Sequence, residues 1–152
     1  MVFQGPEKIT GLGINCKMNE FQAAMGLCVL DDFNTILSQR ENVYDYYQTN
    51  LQENIHLEFQ KQNEFSSNNY SYFPVIFRNE QKLIKVQKML MKENIFPRRY
   101  FFPSLESLDI VESVQNVPNS SNISKRILCL PLYEGLNRKV QDRIINVTNK
   151  NS

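Results

Sequence analysis

The chain has 152 residues, 17 of them basic and 16 acidic, which leaves a net charge of +1. This length suits one domain, and with 41% hydrophobic residues there is enough material for a core, so we do not expect disorder across the whole chain. The near-neutral charge argues against a protein whose main work is to bind nucleic acid or an anionic membrane through bulk charge.

Several further classes of protein are disfavoured by single features. No apolar run approaches the ~20 residues that span a bilayer, and the N-terminus lacks the pattern of a secretory signal. Cys16, Cys28 and Cys129 are odd in number and widely spaced, which is typical of reduced thiols in a cytosol. His56 is the only histidine and has no partner at a useful spacing, so we expect neither a zinc site nor a histidine-based catalytic triad. The expectation is a cytoplasmic protein with no metal and with no membrane or nucleic-acid partner.

The first predicted elements are two consecutive helices. Asn19 and Gln22 have the spacing of a capping box, so a helix should begin at the residue after Asn19. Asp31 and Asp32 are predicted to interrupt this helix and to cap a second one that ends near Leu51.

Strand and helix signals alternate in the middle of the chain. Residues 56–59 alternate like a short strand, and residues 70–77 are the best strand, in which Pro74 predicts an edge position or a bulge. Asn79 should cap a helix that leads back into a strand over residues 95–102, which gives a β-α-β element.

Two more helices complete the predicted order. A short one should run from about residue 121 to residue 128 and be terminated by Pro131, and Asn137 should cap the last one. The fold class predicted is therefore α+β: a short, mostly antiparallel sheet covered by helices and preceded by two consecutive helices.

Two segments could bind an anion. Asn15 and Lys17 place an amide and an ammonium before the N-terminus of a capped helix, where the helix dipole and unpaired N–H groups favour negative charge. The alternative is a turn in which neighbouring glycines only permit positive φ. In the second segment, Arg98 and Arg99 stand among aromatics and could grip a diphosphate while a ring stacks on a base. Because adjacent strand residues face opposite ways, only one arginine should reach a given ligand.

The second segment has two other interpretations. It could be an ordinary strand with an aromatic core side and a solvated basic side. It could also bind single-stranded nucleic acid, although the near-neutral charge and the absence of a second basic-aromatic strand weaken that hypothesis.

Four segments together resemble one family. Residues 13–26 (GINCKMNEFQAAMG) are similar to the G-x-N-x-R/K-M-x-E-x-Q-A-A-x-G signature of the DegT/StrS-like nucleotide-sugar aminotransferases. Residues 5–7 (GPE) and 98–105 (RRYFFPSL) resemble the branch that acts on dTDP-4-keto-6-deoxy sugars, and residues 128–133 (LCLPLY) resemble the family's L-x-L-P-L-Y segment, which we interpret as structural, turning the chain after a helix. The four segments occur in the family's order and spacing from about Gly5 to Ile145.

The resemblance implies the C-terminal part of a fold type I enzyme that uses pyridoxal 5′-phosphate (PLP). Residues 1–18 would be a remnant of the large domain, residues 19–52 connecting helices, and residues 53–152 the small α+β domain. The parent reaction transfers an amino group from glutamate to a dTDP-linked 4-keto-6-deoxy sugar. The lysine that binds PLP covalently belongs to the large domain, so this chain is expected to have no catalytic residue and to be inactive alone.

The resemblance also implies roles for individual residues. The asparagine that matches Asn15 reaches the PLP phosphate of the other subunit of a homodimer, and Lys17 would add charge there. Arg98, Arg99 and Tyr100 would contact the diphosphate or sugar of the substrate. The partners expected are the nucleotide sugar, glutamate, and a second copy or a separate N-terminal domain. The alternative is a non-catalytic dimerisation or interaction module.

Overall fold

The computed structural model of the protein describes residues 2–3, 9–11, 17–108 and 116–152. Within these residues the chain forms four α-helices and a three-stranded antiparallel sheet, which confirms the predicted α+β class. Two short strands, β1 (Val2–Phe3) and β2 (Ile9–Gly11), pair with each other separately from that sheet. The chain divides into two compact units, Met1–Asn34 and Thr35–Ser152. The elements that follow β2 are α1 (Glu20–Leu51), β3 (Leu57–Phe59), β4 (Phe73–Phe77), α2 (Glu80–Lys92), α3 (Pro118–Arg126), β5 (Ile127–Leu130) and α4 (Arg138–Asn151).

The sheet has the order β3-β4-β5 and supplies the centre of the core. Phe73, Val75 and Phe77 alternate along β4 with half-exposed residues and are at most 1% exposed, as expected for a strand with one buried face. Residues from α1, α2 and α4 join that face in the core cluster, and the neighbouring strand β5 adds Leu128 beside Val75. The largest of them are Tyr47, Leu51, Leu83, Leu90, Leu128 and Ile144.

The start of α1 confirms the predicted capping box. The backbone N–H of Gln22 donates to Oδ1 of Asn19 at 2.9 Å, and the backbone N–H of Asn19 donates to Oε1 of Gln22 at 3.1 Å. The predicted break at Asp31 and Asp32 is wrong, because α1 continues through both for a total of 32 residues. Both aspartates are exposed, and an exposed aspartate inside a helix costs only a few tenths of a kcal/mol to about 0.7 kcal/mol, which cannot stop a helix without a proline. Among the described residues, no helix combines the length and apolarity needed to cross a membrane.

Two further corrections concern the third strand of the sheet. Residues 95–102 do not form the predicted strand, so there is no β-α-β element; they make a single antiparallel bridge, from Arg98 to Cys129. The third strand is β5, in residues predicted to end a helix. Pro97 lacks a backbone N–H, which prevents a continuous ladder over residues 95–102. The apolar run of β5 was too short for periodicity to distinguish strand from helix.

Two other element boundaries differ from the predictions: α3 begins at Pro118, three residues before its predicted start, and β4 begins at Phe73, three residues after its predicted start. Asn79 and Asn137 cap α2 and α4 through their side chains, as expected. Pro74 lies in the central strand β4, not in an edge strand. However, β3 ends opposite Val75, so at Pro74 the strand is paired only with β5, through Cys129. Pro74 therefore lies in the part of β4 that has only one neighbouring strand.

Candidate functional site

A cavity of about 360 Å³ lies beside the end of β5, and we call it the Arg98 cavity. It joins the segment around Arg98 to the residues that follow β5 and to those that precede β4. Three segments that are far apart in the sequence therefore meet at this cavity. The cavity is lined by Ser71, Tyr72, Phe96, Arg98, Tyr100 and the run from Cys129 through Leu130, Pro131 and Leu132 to Tyr133.

Arg98 is held in place at both its backbone and its side chain. Its N–H donates to the carbonyl of Cys129 at 3.1 Å, and the N–H of Cys129 donates to the carbonyl of Arg98 at 2.8 Å. Its guanidinium donates from Nη1 to the hydroxyl oxygen of Tyr100, and this hydrogen bond raises the pKa of Arg98. A guanidinium has five N–H donors, of which Tyr100 uses one. The side chain is exposed, so it is positioned and still accessible to an anionic ligand.

Aromatic side chains form the walls around this cation. The rings of Tyr72 and Tyr100 meet edge to face, with centroids 5.3 Å apart and an interplanar angle of 74°. Tyr72, Phe96 and Tyr133 are 50%, 64% and 52% exposed, so each has a large apolar surface facing solvent. An arginine among accessible rings suits a ligand that joins an anion to a flat or apolar group.

A buried side chain of the core holds the segment that follows β5. Tyr47 of α1 is fully buried, and its hydroxyl donates to the carbonyl of Pro131 at 3.0 Å. Burial raises the pKa of Tyr47, so its hydroxyl stays protonated and remains a donor. The sequence interpretation of residues 128–133 as a structural turn after a helix is therefore incomplete. Residues 128–130 belong to strand β5 and residues 131–133 follow it, and Cys129 to Tyr133 line the Arg98 cavity.

Tyr72, Phe96 and Tyr133 are the aromatic cavity residues that the sequence reasoning missed as candidates. Tyr133 belongs to a segment already singled out by resemblance, and Phe96 belongs to the aromatic-basic segment. The signal for Phe96 was available, because alternation along an extended chain places Phe96, Arg98 and Tyr100 on one side. Nothing local in the sequence places Tyr72 or Tyr133 beside them.

Arg99 points to a different part of the molecule. Its Nη2 donates to Oε1 of Glu80 at 2.7 Å and to the carbonyl of Lys125 at 2.9 Å, and its guanidinium carbon lies 3.6 Å from the centre of the Phe102 ring. Its side chain is 16% exposed and it does not line the Arg98 cavity. The structure thus brings Arg98 and Tyr100 together and separates Arg99 from them. That only one arginine reaches a given ligand stays a prediction.

The other two candidate residues lie before α1. Lys17 is exposed and stands two residues ahead of Asn19, the capping residue of α1. It belongs to the first compact unit, whereas Arg98 and Tyr100 belong to the second. Asn15 lies outside the described residues, so its predicted role stays a prediction.

The described residues include one candidate contact for the phosphate of PLP, Lys17. Lys17 brings a cation close to a helix N-terminus, the kind of place that binds a phosphate. A covalent PLP site also needs a lysine that is removed from solvent. Among the described lysines none is buried, and none lines the Arg98 cavity. The described part of the chain therefore contains a candidate cation for the phosphate and no buried lysine.

Comparisons with known proteins identify the family of the chain. Residues 3–149 match the DegT/DnrJ/EryC1/StrS aminotransferase family. The chain is 32% identical over 143 residues to a dTDP-4-amino-4,6-dideoxy-D-glucose transaminase from Escherichia coli, and this match covers 90% of the chain and 38% of the relative. The chain thus spans less than two fifths of the length of that relative.

Solved structures show the same fold at lower identity. The aminotransferase TlmJ from Streptoalloteichus hindustanus has a TM-score of 0.82 at 15% identity, over 95% of this chain and 39% of its own. A protein described as a sugar aminotransferase, from Streptococcus pneumoniae and in its PLP form, has a TM-score of 0.80 at 19% identity, over 94% of this chain and 38% of its own. With nearly all of its residues matched, the chain belongs to the DegT/DnrJ/EryC1/StrS aminotransferase family, of whose members it represents a C-terminal portion.

Proposed function

We propose that this chain is the substrate-binding C-terminal part of a PLP-dependent aminotransferase that transfers an amino group from glutamate to a dTDP-linked 4-keto-6-deoxy sugar. The observation that carries the proposal is the Arg98 cavity, in which one accessible guanidinium stands among aromatic rings. The 32% identity to the E. coli transaminase supports the choice of substrate class. Production of amino sugars for a surface polysaccharide is part of the same proposal.

Arg98 and Tyr100 are proposed to contact the substrate. The guanidinium of Arg98 is suited to a diphosphate, because its planar donors can form charge-assisted bonds with two phosphate oxygens. Tyr100 orients that guanidinium through its hydroxyl. Tyr72, Phe96 and Tyr133 offer apolar surface for a base or sugar ring. For Arg99 we keep substrate contact as a prediction; its bonds to Glu80 and to the Lys125 carbonyl favour a positioning role.

Lys17 and Asn15 are proposed to hold the phosphate of PLP across the interface of a homodimer. When bound, PLP supplies an electron sink that lets the amino group move from one substrate to the other. In the described residues no lysine is buried, which supports the proposal that this chain alone is inactive. The division into residues 1–18, 19–52 and 53–152 remains part of the proposal. A cytosolic location also remains part of the proposal, and the free thiols of Cys28 and Cys129 support it.

A hybrid enzyme tests the proposal. The N-terminal portion of the E. coli relative, which this chain does not match, is fused ahead of the chain, and amino transfer from glutamate to dTDP-4-keto-6-deoxyglucose is measured. Arg98→Ala should lower kcat/KM by about 10- to 100-fold, mainly through KM, because a hydrogen bond to a charged group contributes about 1.5–3 kcal/mol.

Arg143→Ala is the matched control, because Arg143 is an exposed arginine engaged with Glu93 and outside the cavity. It should leave kcat/KM unchanged. A folded hybrid that binds PLP but leaves the dTDP sugar unchanged, or an Arg98→Ala hybrid as active as its parent, contradicts the proposal. The chain alone, mixed with PLP, should give no absorbance band of protein-bound PLP.

A non-catalytic interaction module is the second candidate function. It is favoured by the many apolar side chains that α1 exposes, among them Phe21 and Met25. The hybrid distinguishes the two, because an interaction module would assemble without turning over the sugar.

A further inference from the structure

A second cavity, of about 430 Å³, lies where the end of β4, the start of α2 and the end of α3 meet. Among the described residues, none lines both this cavity and the Arg98 cavity. Its walls are polar, and most of their charged groups are cations, so we call it the basic cavity. The lining residues are Arg78, Asn79, Glu80, Asn122, Lys125 and Arg126.

Arg126 is held in place within this cavity by three hydrogen bonds. Its Nε donates to Oδ1 of Asn122 at 2.8 Å. Its Nη1 donates to Oε1 of Glu58 at 2.9 Å and to the carbonyl of Phe77 at 3.0 Å. A guanidinium has five N–H donors, and no acceptor among the described residues bonds those of Nη2. The guanidinium is therefore immobilised and still has donors for a ligand, so binding costs little side-chain entropy.

Arg78 and Lys125 supply two further cations to the same cavity. Both residues are exposed, and within the described part of the chain neither forms an ion pair. Charges of one sign that line the same cavity repel each other, and a bound anion relieves that repulsion. The side chains of Arg78 and Lys125 are therefore accessible to an anionic ligand.

The carboxylates around the basic cavity do not cancel its positive charge. Glu80 lines the cavity, but its Oε1 accepts from Nη2 of Arg99 at 2.7 Å, and Glu58 is paired with Arg126. With Arg99 included, four cations stand against these two carboxylates, which leaves a local charge of +2 in a chain whose net charge is +1. A local excess of this kind raises the concentration of anions at the cavity.

We propose that the basic cavity binds the diphosphate group of a small molecule. The oxygens of a diphosphate can accept from Arg126 and from the two exposed cations at the same time, in charge-assisted hydrogen bonds. A diphosphate also carries more negative charge than a single phosphate, which suits a local charge of +2. The volume of about 430 Å³ falls within the roughly 300–1,000 Å³ of small-molecule sites. The proposal does not rest on the proposed function, because these residues do not line the Arg98 cavity.

Titration of the isotope-labelled chain with inorganic pyrophosphate, followed by amide chemical shifts, tests the proposal. The shifts should saturate, and the largest should fall at residues 78–80 and 122–126. Arg78→Gln/Lys125→Gln should raise the dissociation constant by about tenfold or more, because each substitution removes a charge-assisted contact with the ligand. A titration that does not saturate, or whose shifts fall elsewhere in the chain, overturns the proposal.

The matched control is Lys88→Gln/Arg143→Gln, which removes the same two charges from exposed residues outside the cavity. It should leave the dissociation constant of pyrophosphate unchanged. Circular dichroism verifies that both double variants stay folded, as expected for substitutions of exposed residues. Equal weakening by the two double variants overturns the proposal, because it would mean that pyrophosphate responds only to the net charge of the chain.

Two other probes test the class of ligand. Inorganic phosphate at the same ionic strength should bind more weakly than pyrophosphate by about fivefold or more, because it offers fewer acceptor oxygens and less charge. Equal affinity for the two anions overturns the choice of a diphosphate. A single-stranded oligonucleotide that binds at residues 78–80 and 122–126, in a chain on which pyrophosphate has no effect, identifies a nucleic-acid surface and also overturns the proposal.

Arg98→Ala separates this site from the one under the proposed function. The pyrophosphate shifts at residues 78–80 and 122–126 should be the same in Arg98→Ala as in the wild type. Loss of those shifts would assign the bound pyrophosphate to the Arg98 cavity and overturn the proposal. Amino transfer is not part of this measurement, so a hybrid enzyme without activity contradicts the proposed function and leaves the basic cavity to be judged by the titration.

Discussion

The two halves of α1 have the same secondary structure and opposite surroundings. In the second half, Val43, Tyr47 and Leu51 recur every four residues and are at most 6% exposed, so one stripe of the helix is buried in the core. In the first half, Phe21 and Leu27 are 85% and 65% exposed and lie on different sides. The described residues thus bury one stripe of the second half and leave the large apolar side chains of the first half exposed.

Polar contacts distinguish the second half as well. The hydroxyl of Tyr46 donates to Asp142 at 2.6 Å, and the amide of Gln141, which is 2% exposed, donates to the carbonyl of Val43 at 3.1 Å. The hydroxyl of Tyr70 donates to Glu41 at 2.6 Å. Hydrogen bonds between residues this far apart in sequence hold the second half of α1 against the other elements of the second compact unit.

The largest expected effect comes from a matched pair of truncations. Tyr47→Ala removes a fully buried ring and should lower the free energy of unfolding by about 3–5 kcal/mol. Leu30→Ala, at a position 66% exposed, should change it by no more than about 0.5 kcal/mol. Urea denaturation followed by circular dichroism measures both. Equal losses would break the comparison, because they would mean that this chain also buries its first half.

A smaller effect is expected at Gln141. Replacing it with Ala removes the bond to the Val43 carbonyl and leaves a small cavity, and should cost about 1–3 kcal/mol. Gln141→Met keeps most of the volume, so the difference between the two variants isolates the packing contribution from that of the hydrogen bond. A stability for Gln141→Met equal to that of the wild type would show that the hydrogen bond contributes nothing.

Local signals in the sequence predicted much of this fold. Asn19, Asn79 and Asn137 were all identified as helix caps, and each one caps a helix through its side chain. Capping is predictable because donor and acceptor lie within three residues of one another. The buried face of α4 is also local in origin, because Ile144 and Val147 lie three residues apart on one side of the helix.

Nonlocal pairing could not be read from the sequence. The strand β5 exists because Leu128 and Leu130 pair with Val75 and Phe73 about 55 residues earlier, a cause that no short window contains. The Arg98 cavity depends on that pairing, since Cys129 anchors Arg98 and the residues after Leu130 form the opposite wall. For this reason Arg98 and Tyr100 could be nominated from composition and resemblance, but their neighbours Tyr72 and Tyr133 could not.

The cap of α1 gives a prediction confined to the first half. Asn19→Ala removes the acceptor of the Gln22 N–H and should cost about 1 kcal/mol of helix stability. Because the loss falls at an exposed end, it should appear as faster amide hydrogen exchange over the first turns of α1, with the global urea midpoint unchanged. A shift of the midpoint like that expected for Gln141→Ala would mean that the first half unfolds together with the core.

The smallest expected effect is a pH dependence of stability that arises from the hydrogen bond between Tyr70 and Glu41 of α1. The hydrogen bond from Tyr70 to Glu41 raises the pKa of Tyr70 to about 12, above its usual value near 10. A raised pKa means that the folded state holds the proton more tightly than the unfolded state. The stabilisation is therefore fully present below pH ~10 and is lost as the pH rises towards 12. Tyr46, bonded to Asp142, also has a raised pKa, so the wild type and Tyr70→Phe share that background. Stability measured at pH 8 to 11.5 should decline more steeply in the wild type than in Tyr70→Phe. If stability declined with pH equally in the wild type and in Tyr70→Phe, the Tyr70–Glu41 hydrogen bond would not hold the second half of α1 in solution.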